Sequence, residues 1–190
     1  MTKRSRDRNA AIQWARELLA KPNWVILDTE TTGIDNMAEI IQIGVLDHTG
    51  KALMNNVFIN PMLGYIPAAA SAINHITYDM VARSPTFIQV WPQLSAILKS
   101  GEVVIYNAAY DVKLIEQTAR KYRISVPTYW VSCAMLNNAA YVGDWNDYRQ
   151  SYKWPKLQGG DHSALGDCHA TMKLIQNMAE AEQFEVVGLI

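Results

Sequence analysis

Cysteine is scarce in this sequence. Two occur among 190 residues, Cys133 and Cys168. They have neither the density of a disulfide scaffold nor the close spacing of zinc ligands. That excludes a small cross-linked extracellular module and leads us to expect a reduced, cytoplasmic setting. Long hydrophobic runs are missing too. No stretch approaches the roughly 20 apolar residues a bilayer requires, so no membrane association is expected. The N-terminal "MTKRSRDRNA" is basic but is not followed by an apolar segment, which excludes a secretory signal. Neither charge sign dominates: Lys plus Arg total 17 against 18 for Asp plus Glu, a formal net charge of −1. That is too little positive charge to grip long nucleic acid by bulk electrostatics. It does not exclude an enzyme that holds one chain end through metal ions.

What is present is a hydrophobic fraction of 49%, enough for one domain over residues 1–190 with a substantial core. Ile12, Ala15, Leu18 and Leu19 recur at helical spacing within 7–20, making residues 1–22 an N-terminal helical extension stopped by Pro22-Asn23. Strands are expected at 24–30, 39–47 and about 52–60, joined by short turns as an antiparallel meander. After Pro67 the pattern changes. Helices are expected near 78–82, from Ser84-Pro85 to Lys99, at about 109–122 and from roughly Ser163 to Glu182. Strands at 102–106 and 128–136 alternate with them, which implies parallel pairing. The fold class is therefore α/β, a mixed five-stranded sheet flanked by helices. Residues 141–160 read as an aromatic, irregular segment carrying Trp145, Tyr148, Tyr152 and Trp154. Basic clusters at Lys3, Arg4, Arg6 and Arg8, at Arg120, Lys121 and Arg123, and at Arg149, Lys153 and Lys156 read first as solvated faces. The C-terminal "FEVVGLI" reads as an edge strand, a packed tail or a partner-binding end.

Acids occupy positions where apolar residues belong. In "ILDTETTG", Asp28 and Glu30 close an apolar strand and share one face, because side chains alternate along a strand. Two like charges there raise each other's pKa unless a cation lies between them. Alone, the pair fits equally a strand end running into solvent. Asp111 stands in the first turn of a helix, on the stripe of Leu114, Ile115 and Thr118. A favourable helix N-terminus explains its place along the helix but not its apolar face. Asp167 repeats the anomaly on the last helix, in a stripe with Ala164, Ala170, Thr171, Leu174 and Met178. No lysine or arginine stands at a matching helical position, and acids are rarely buried unpaired. His162 precedes that helix; if Asp161 or Ser163 caps it, the imidazole is on the loop and can swing over the site. Clustered carboxylates favour hard divalent cations, Mg2+ or Mn2+, and two such ions suit phosphoryl transfer. An imidazole, which titrates near neutrality, can take the proton of an attacking water.

These residues carry a resemblance. The chain resembles the DEDDh 3′–5′ exonucleases: "LDTETTG" looks like the first motif, "YNAAYD" the second and "HSALGDCHA" the third, in order. The resemblance implies a ribonuclease H-like fold and hydrolysis of nucleotides from a 3′ end with two divalent cations. By that analogy Asp28 bridges both metals, Glu30 and Asp167 complete one, Asp111 acts through a water and His162 is the general base. The backbone around Glu30, Thr31 and Thr32 would receive the terminal nucleotide and its 3′ hydroxyl, with Asn74 and His75 beside its sugar and base and Asn107 close by. The partner is nucleic acid with a free 3′ end, DNA before RNA; a homodimer, or a polymerase or repair partner, stays open. A non-catalytic nucleic-acid-binding or polymerase-interaction module on the same fold is the remaining alternative. Three departures stand out. Asn74-His75 replaces a pair of histidines, and Tyr106 replaces a frequent histidine. Only four residues separate Leu157 from His162, where relatives have another helix. The segment 141–160 is then expected on the substrate side, offering Trp145, Tyr148 or Trp154 for stacking and Arg149, Lys153 or Lys156 for phosphate, unless its aromatics simply cover core.

Overall fold

A computed structural model describes residues 2–184. In chain order the elements are α1 (Lys3–Ala20), β1 (Trp24–Thr31), β2 (Ile40–Asp47), β3 (Ala52–Phe58), α2 (Ala68–Asn74), α3 (Tyr78–Val81), α4 (Phe87–Leu98), β4 (Glu102–Ile105), α5 (Ala108–Lys121), β5 (Trp130–Cys133), α6 (Ala134–Val142), β6 (Trp145–Asn146), β7 (Ser151–Tyr152) and α7 (Ala164–Glu180). The main sheet has five strands in the order β3-β2-β1-β4-β5. β1 pairs antiparallel with β2, and β2 with β3, while β1–β4 and β4–β5 are parallel. This is the mixed sheet that the sequence leads one to expect.

Alternation along β1 sends its residues to two helical layers. Val25 and Leu27 pack with Phe87, Leu94, Leu114 and Ile115 of α4 and α5. Trp24 and Ile26 pack with Leu18 of α1 and Cys168, Ile175 and Met178 of α7. Covered on both faces, β2 is buried from Ile40 through Leu46, which is why it reads as a continuous apolar run. β1 thus lies at the centre, where a carboxylate on its end faces α7.

Several boundaries differ from those expected. α1 begins at Lys3, because the Thr2 hydroxyl accepts from the Ser5 N–H and caps it. Leu19 sits at the surface, and Ala11 joins Ile12, Ala15 and Leu18 on the buried face. The extension is docked: Arg16 donates to the carbonyls of Ala179 and Ala181 at the end of α7. α2 is not among the expected helices, since its alanines carry no hydrophobic period. High alanine propensity and a start at Pro67 suffice to form it. The stretch 141–160 contains the hairpin β6–β7. Of the C-terminal "FEVVGLI", everything after Phe184 lies outside the described residues.

Candidate active site

The site forms where β1 outruns its parallel neighbour. Pairing of β1 with β4 ends at Ile26–Val104. Beyond it Asp111, in the first turn of α5, takes the place a longer β4 would fill. The Thr29 N–H donates to Asp111 Oδ1 at 3.1 Å and the Thr29 hydroxyl donates to the same oxygen at 2.7 Å. Leu114, Ile115 and Thr118 on the same stripe are buried, and Thr118 Oγ1 accepts from the Ile40 N–H. Packing of α5 on the sheet therefore drives Asp111 inward, to 3% exposure. Asp28 and Glu30 emerge from β1 on the opposite face, toward α7, and the β1–β2 register shifts just after Glu30.

Asp167 comes from the start of α7, which is fastened to the sheet. Gln42 Oε1 accepts from the Ala164 N–H at 2.8 Å, Asn56 Oδ1 from the Leu165 N–H at 2.7 Å, and Ser163 Oγ from the Gly166 N–H at 3.1 Å. Three of the donors that a helix N-terminus leaves unpaired are thereby satisfied. The approach needs Gly44: a Cβ there would stand 2.5 Å from the backbone of Ala164 and Leu165. The segment before the helix wraps the carboxylate. Asp167 Oδ1 accepts from the N–H groups of Asp161 at 3.0 Å and His162 at 3.3 Å. His162 takes the left-handed conformation, φ 60°, which lets the loop turn around that oxygen. Ser163 is the N-cap, so the imidazole stands on the loop, exposed.

Asp28, Glu30, Asp111, Asp167 and His162 line one cavity of about 430 Å³, together with Thr29, Tyr106, Asn107, Tyr110 and Leu157. Among the described residues no lysine or arginine forms an ion pair with any of the four acids. Their electrostatics follow. Burial and then the charges of Asp111, Asp167 and Glu30 raise Asp28 well above the usual carboxylate range. Burial, then Asp167, lifts Glu30 to about 8. Burial lifts Asp111 to about 7 although the Thr29 bonds oppose it. Burial also raises Asp167, against the two backbone N–H groups that stabilise its charge. Four carboxylates that cannot all ionise together fit a site built for added positive charge. The donor set is oxygen-rich, and ligand atoms of Glu30, His162 and Asp167 lie within 4.8 Å of one another. These residues fit hard divalent cations.

The other expected contacts divide. Asn107 lines the cavity. Thr31 and Thr32 are buried, and their hydroxyls are used internally: Thr31 Oγ1 donates to the Gly33 carbonyl, and Thr32 Oγ1 accepts from the Glu39 N–H. Asn74 is buried; its Nδ2 donates to the Thr31 carbonyl at 3.1 Å, and its side chain also hydrogen-bonds Glu30. His75 is exposed, ending α2 at φ 59°. Trp145 packs edge-on against Tyr152 at 5.0 Å, with Lys3 of α1 over both rings. Lys153 pairs with Asp144 at 3.1 Å. Trp145 and Lys153 thus have partners within the protein, and the ring of Tyr148 at the tip is 96% exposed. Sequence reasoning missed Thr29, whose side chain serves Asp111, and Tyr110, whose hydroxyl lies 2.7 Å from that of Thr31. Tyr106 stands out in the sequence only as a departure; its hydroxyl donates to the Pro155 carbonyl at 2.8 Å and holds the wall beside Leu157. Polar residues adjoining the acids in both motifs were the available signal.

Comparison with known proteins agrees with this geometry. The family model described as exonuclease matches residues 25–175. The uncharacterized exonuclease CP81 of Escherichia phage 186 is 33% identical over 189 residues, covering 90% of this chain and 96% of its own. The DNA polymerase III epsilon subunit of Escherichia coli K12 is 25% identical over 125 residues, 61% of this chain and 51% of the subunit, so the chain spans about half of it. Against a PolC-type DNA polymerase III from Caldanaerobacter subterraneus it spans only 12% of the relative. Among solved structures, exonuclease X with 5′-overhanging duplex DNA superposes at a TM-score of 0.57, 24% identity, covering 84% of this chain and 95% of that one. The rAMP-bound nuclease domain of 3′hExo, a DEDDh family member, gives 0.61 at 17% identity, covering 87% and 98%. The last two likenesses concern the fold. Among the described residues no helix is long and apolar enough to cross a membrane. With the fold, the acid set and the matched sequence in agreement, the chain belongs to the exonuclease family, as a hydrolytic nuclease.

Proposed function

We propose that this protein is a metal-dependent 3′–5′ exonuclease that removes nucleotides from the 3′ end of DNA, at single-stranded or frayed ends. The observation that carries the reading is the convergence of Asp28, Glu30, Asp111 and Asp167 on one cavity where, among the described residues, none of them is ion-paired to a lysine or arginine. Asp28, Glu30, Asp111 and Asp167 would hold two divalent cations, Mg2+ or Mn2+. When bound, such ions neutralise the phosphodiester and stabilise the attacking and leaving oxygens.

The chain's own residues supply the rest. His162, on an exposed loop at the cavity, accepts the proton of the attacking water. Thr29 orients the Asp111 carboxylate through two hydrogen bonds, and the Asp161 and His162 N–H groups orient that of Asp167. Asn74, bonded to Glu30 and to the Thr31 carbonyl, acts as a positioning residue. Asn107, Tyr110 and Leu157 line the space available to the terminal nucleotide. The choice of DNA is supported by relatives named as DNA polymerase III subunits and by exonuclease X, solved with duplex DNA. The test is one gel: 5′-labelled single-stranded DNA, duplex DNA and RNA, each with Mg2+, Mn2+ or chelator. A ladder shortening from the 3′ end of DNA, abolished by chelator, is expected. Faster trimming of RNA would reassign the substrate, and intact strands in every lane would overturn the reading.

A further inference from the structure

A second cavity adjoins the acidic one and has the opposite character. It measures about 650 Å³ and lies between α6, α7 and the 155–159 segment. Its α7 wall presents His169 and Lys173 one helical turn apart, Lys156 is among its lining residues, and no acid among the described residues lines it. Lys156 also lines the acidic cavity, so the two spaces meet at that side chain. At the far end Val142 is shared with a third cavity of about 350 Å³, where Arg4 and Arg8 of α1 appear. Arg8 is held there by the Tyr141 ring, 4.7 Å from its guanidinium, and by the Glu182 carbonyl. Basic side chains from α7, the 155–159 segment and α1 therefore border a row of three cavities, each sharing a lining residue with the next, that begins at four carboxylates.

We propose that this path is a track for the phosphodiester backbone of the strand whose 3′ end occupies the acidic cavity. It deepens the exonuclease reading and rests on it. A polyanion is repelled by the four acids and must be retained by charge elsewhere. On a chain of net charge −1 that charge has to be local, and Lys156, Lys173 and Arg4 provide it along the cavities, with His169 beside them as a hydrogen-bonding side chain.

The test compares the wild type with the double variant His169→Gln, Lys173→Gln and with Arg4→Gln. All replace exposed side chains, and an unchanged Tm is the check on folding. Substrates are a dinucleotide, too short to leave the acidic cavity, and a single-stranded DNA of about twelve nucleotides. For the longer strand KM is expected to rise about threefold to tenfold. The slope of log KM against log salt should become shallower by roughly 0.7 for each phosphate that the variant no longer neutralises. Dinucleotide hydrolysis should stay at the wild-type rate. An unchanged KM and salt slope on the long strand would overturn the track, as would equal losses on both substrates. Fluorescence anisotropy of the labelled strand needs no turnover, so it decides the track even if hydrolysis is absent, an outcome that would remove the exonuclease reading instead.

Discussion

Thr29 gives both its main-chain N–H and its hydroxyl to a single oxygen of Asp111, at 3.1 and 2.7 Å. The carboxylate thereby closes the β1 edge that β4 leaves unpaired, and one acid of the site doubles as a strand partner.

Removing the hydroxyl should therefore disturb catalysis more than folding. In Thr29→Val the shape is kept and one charge-assisted bond is lost, so kcat/KM is expected to fall about tenfold. Because that bond favours the ionised form, its loss raises Asp111 above about 7. The Mg2+ needed for half-maximal rate should rise relative to wild type, since the ion must displace a more tightly held proton, and an unmoved midpoint would contradict the assignment.

Stability without metal should decline as pH rises. The sign follows from protons bound: Glu30, at about 8 in the folded chain against 4.5 ordinarily, and Asp111, at about 7 against 3.8, hold protons that the unfolded chain releases. Their favourable contribution is complete below about pH 4 and is lost as pH climbs through 7 to 8. In chelator, Tm is expected to drop by several degrees between pH 5 and pH 9, and Mg2+ or Mn2+ should restore it by binding the folded state. A Tm that rises over that interval in chelator would exclude the mutual repulsion described here.

Neutralising one acid should separate activity from stability. Asp28→Asn is expected to cut hydrolysis about a thousandfold or more, since a ligand is lost. The same change removes a charge that three neighbours oppose, so Tm in chelator at pH 8 should rise. Calorimetry of the variant checks the second half; a lower Tm would count against it.

His162 should act on turnover alone. His162→Gln is expected to lower kcat by about 10²–10⁴-fold with KM little changed, the signature of a lost general base. Single-turnover measurement with saturating Mg2+ makes the distinction, and a variant whose loss lies wholly in metal affinity would mark the imidazole as a ligand.

Gly44 tests how α7 delivers Asp167. In Gly44→Ala the new methyl meets the backbone of Ala164 and Leu165 at 2.5 Å, and the helix start must move. The cost is about 1–3 kcal/mol, with Tm falling by about 2–4 °C for each kcal/mol. Activity should drop further than the residual folded fraction explains.

Much of this was legible in the chain. The apolar run of β2, the meander and the later strand–helix alternation follow from periodicity that tertiary packing did not override. Asp28, Glu30, Asp111 and Asp167 were visible as acids on apolar faces, and His162 as the residue before a capped helix. α2 was not visible, because an alanine-rich segment has propensity but no amphipathic period. Analogy sets the backbone around Thr31 and Thr32, with Asn74, at the substrate; that the side chains of all three bond the chain's own backbone is seen only in the fold. Trp145 signalled a stacking ring, and only the docking of α1 beneath the hairpin revealed Lys3 as its partner.

The sequence by itself determined which chemistry is possible, since residue types, their period and their spacing place carboxylates on buried faces and so demand a compensating cation. Tertiary structure alone decided how they meet: β4 stops short of β1, and Gly44 admits α7. These are contacts between residues far apart in the chain, which no local pattern encodes. The same holds for the basic path beyond Lys156, because α1, α6 and α7 become neighbours only on folding.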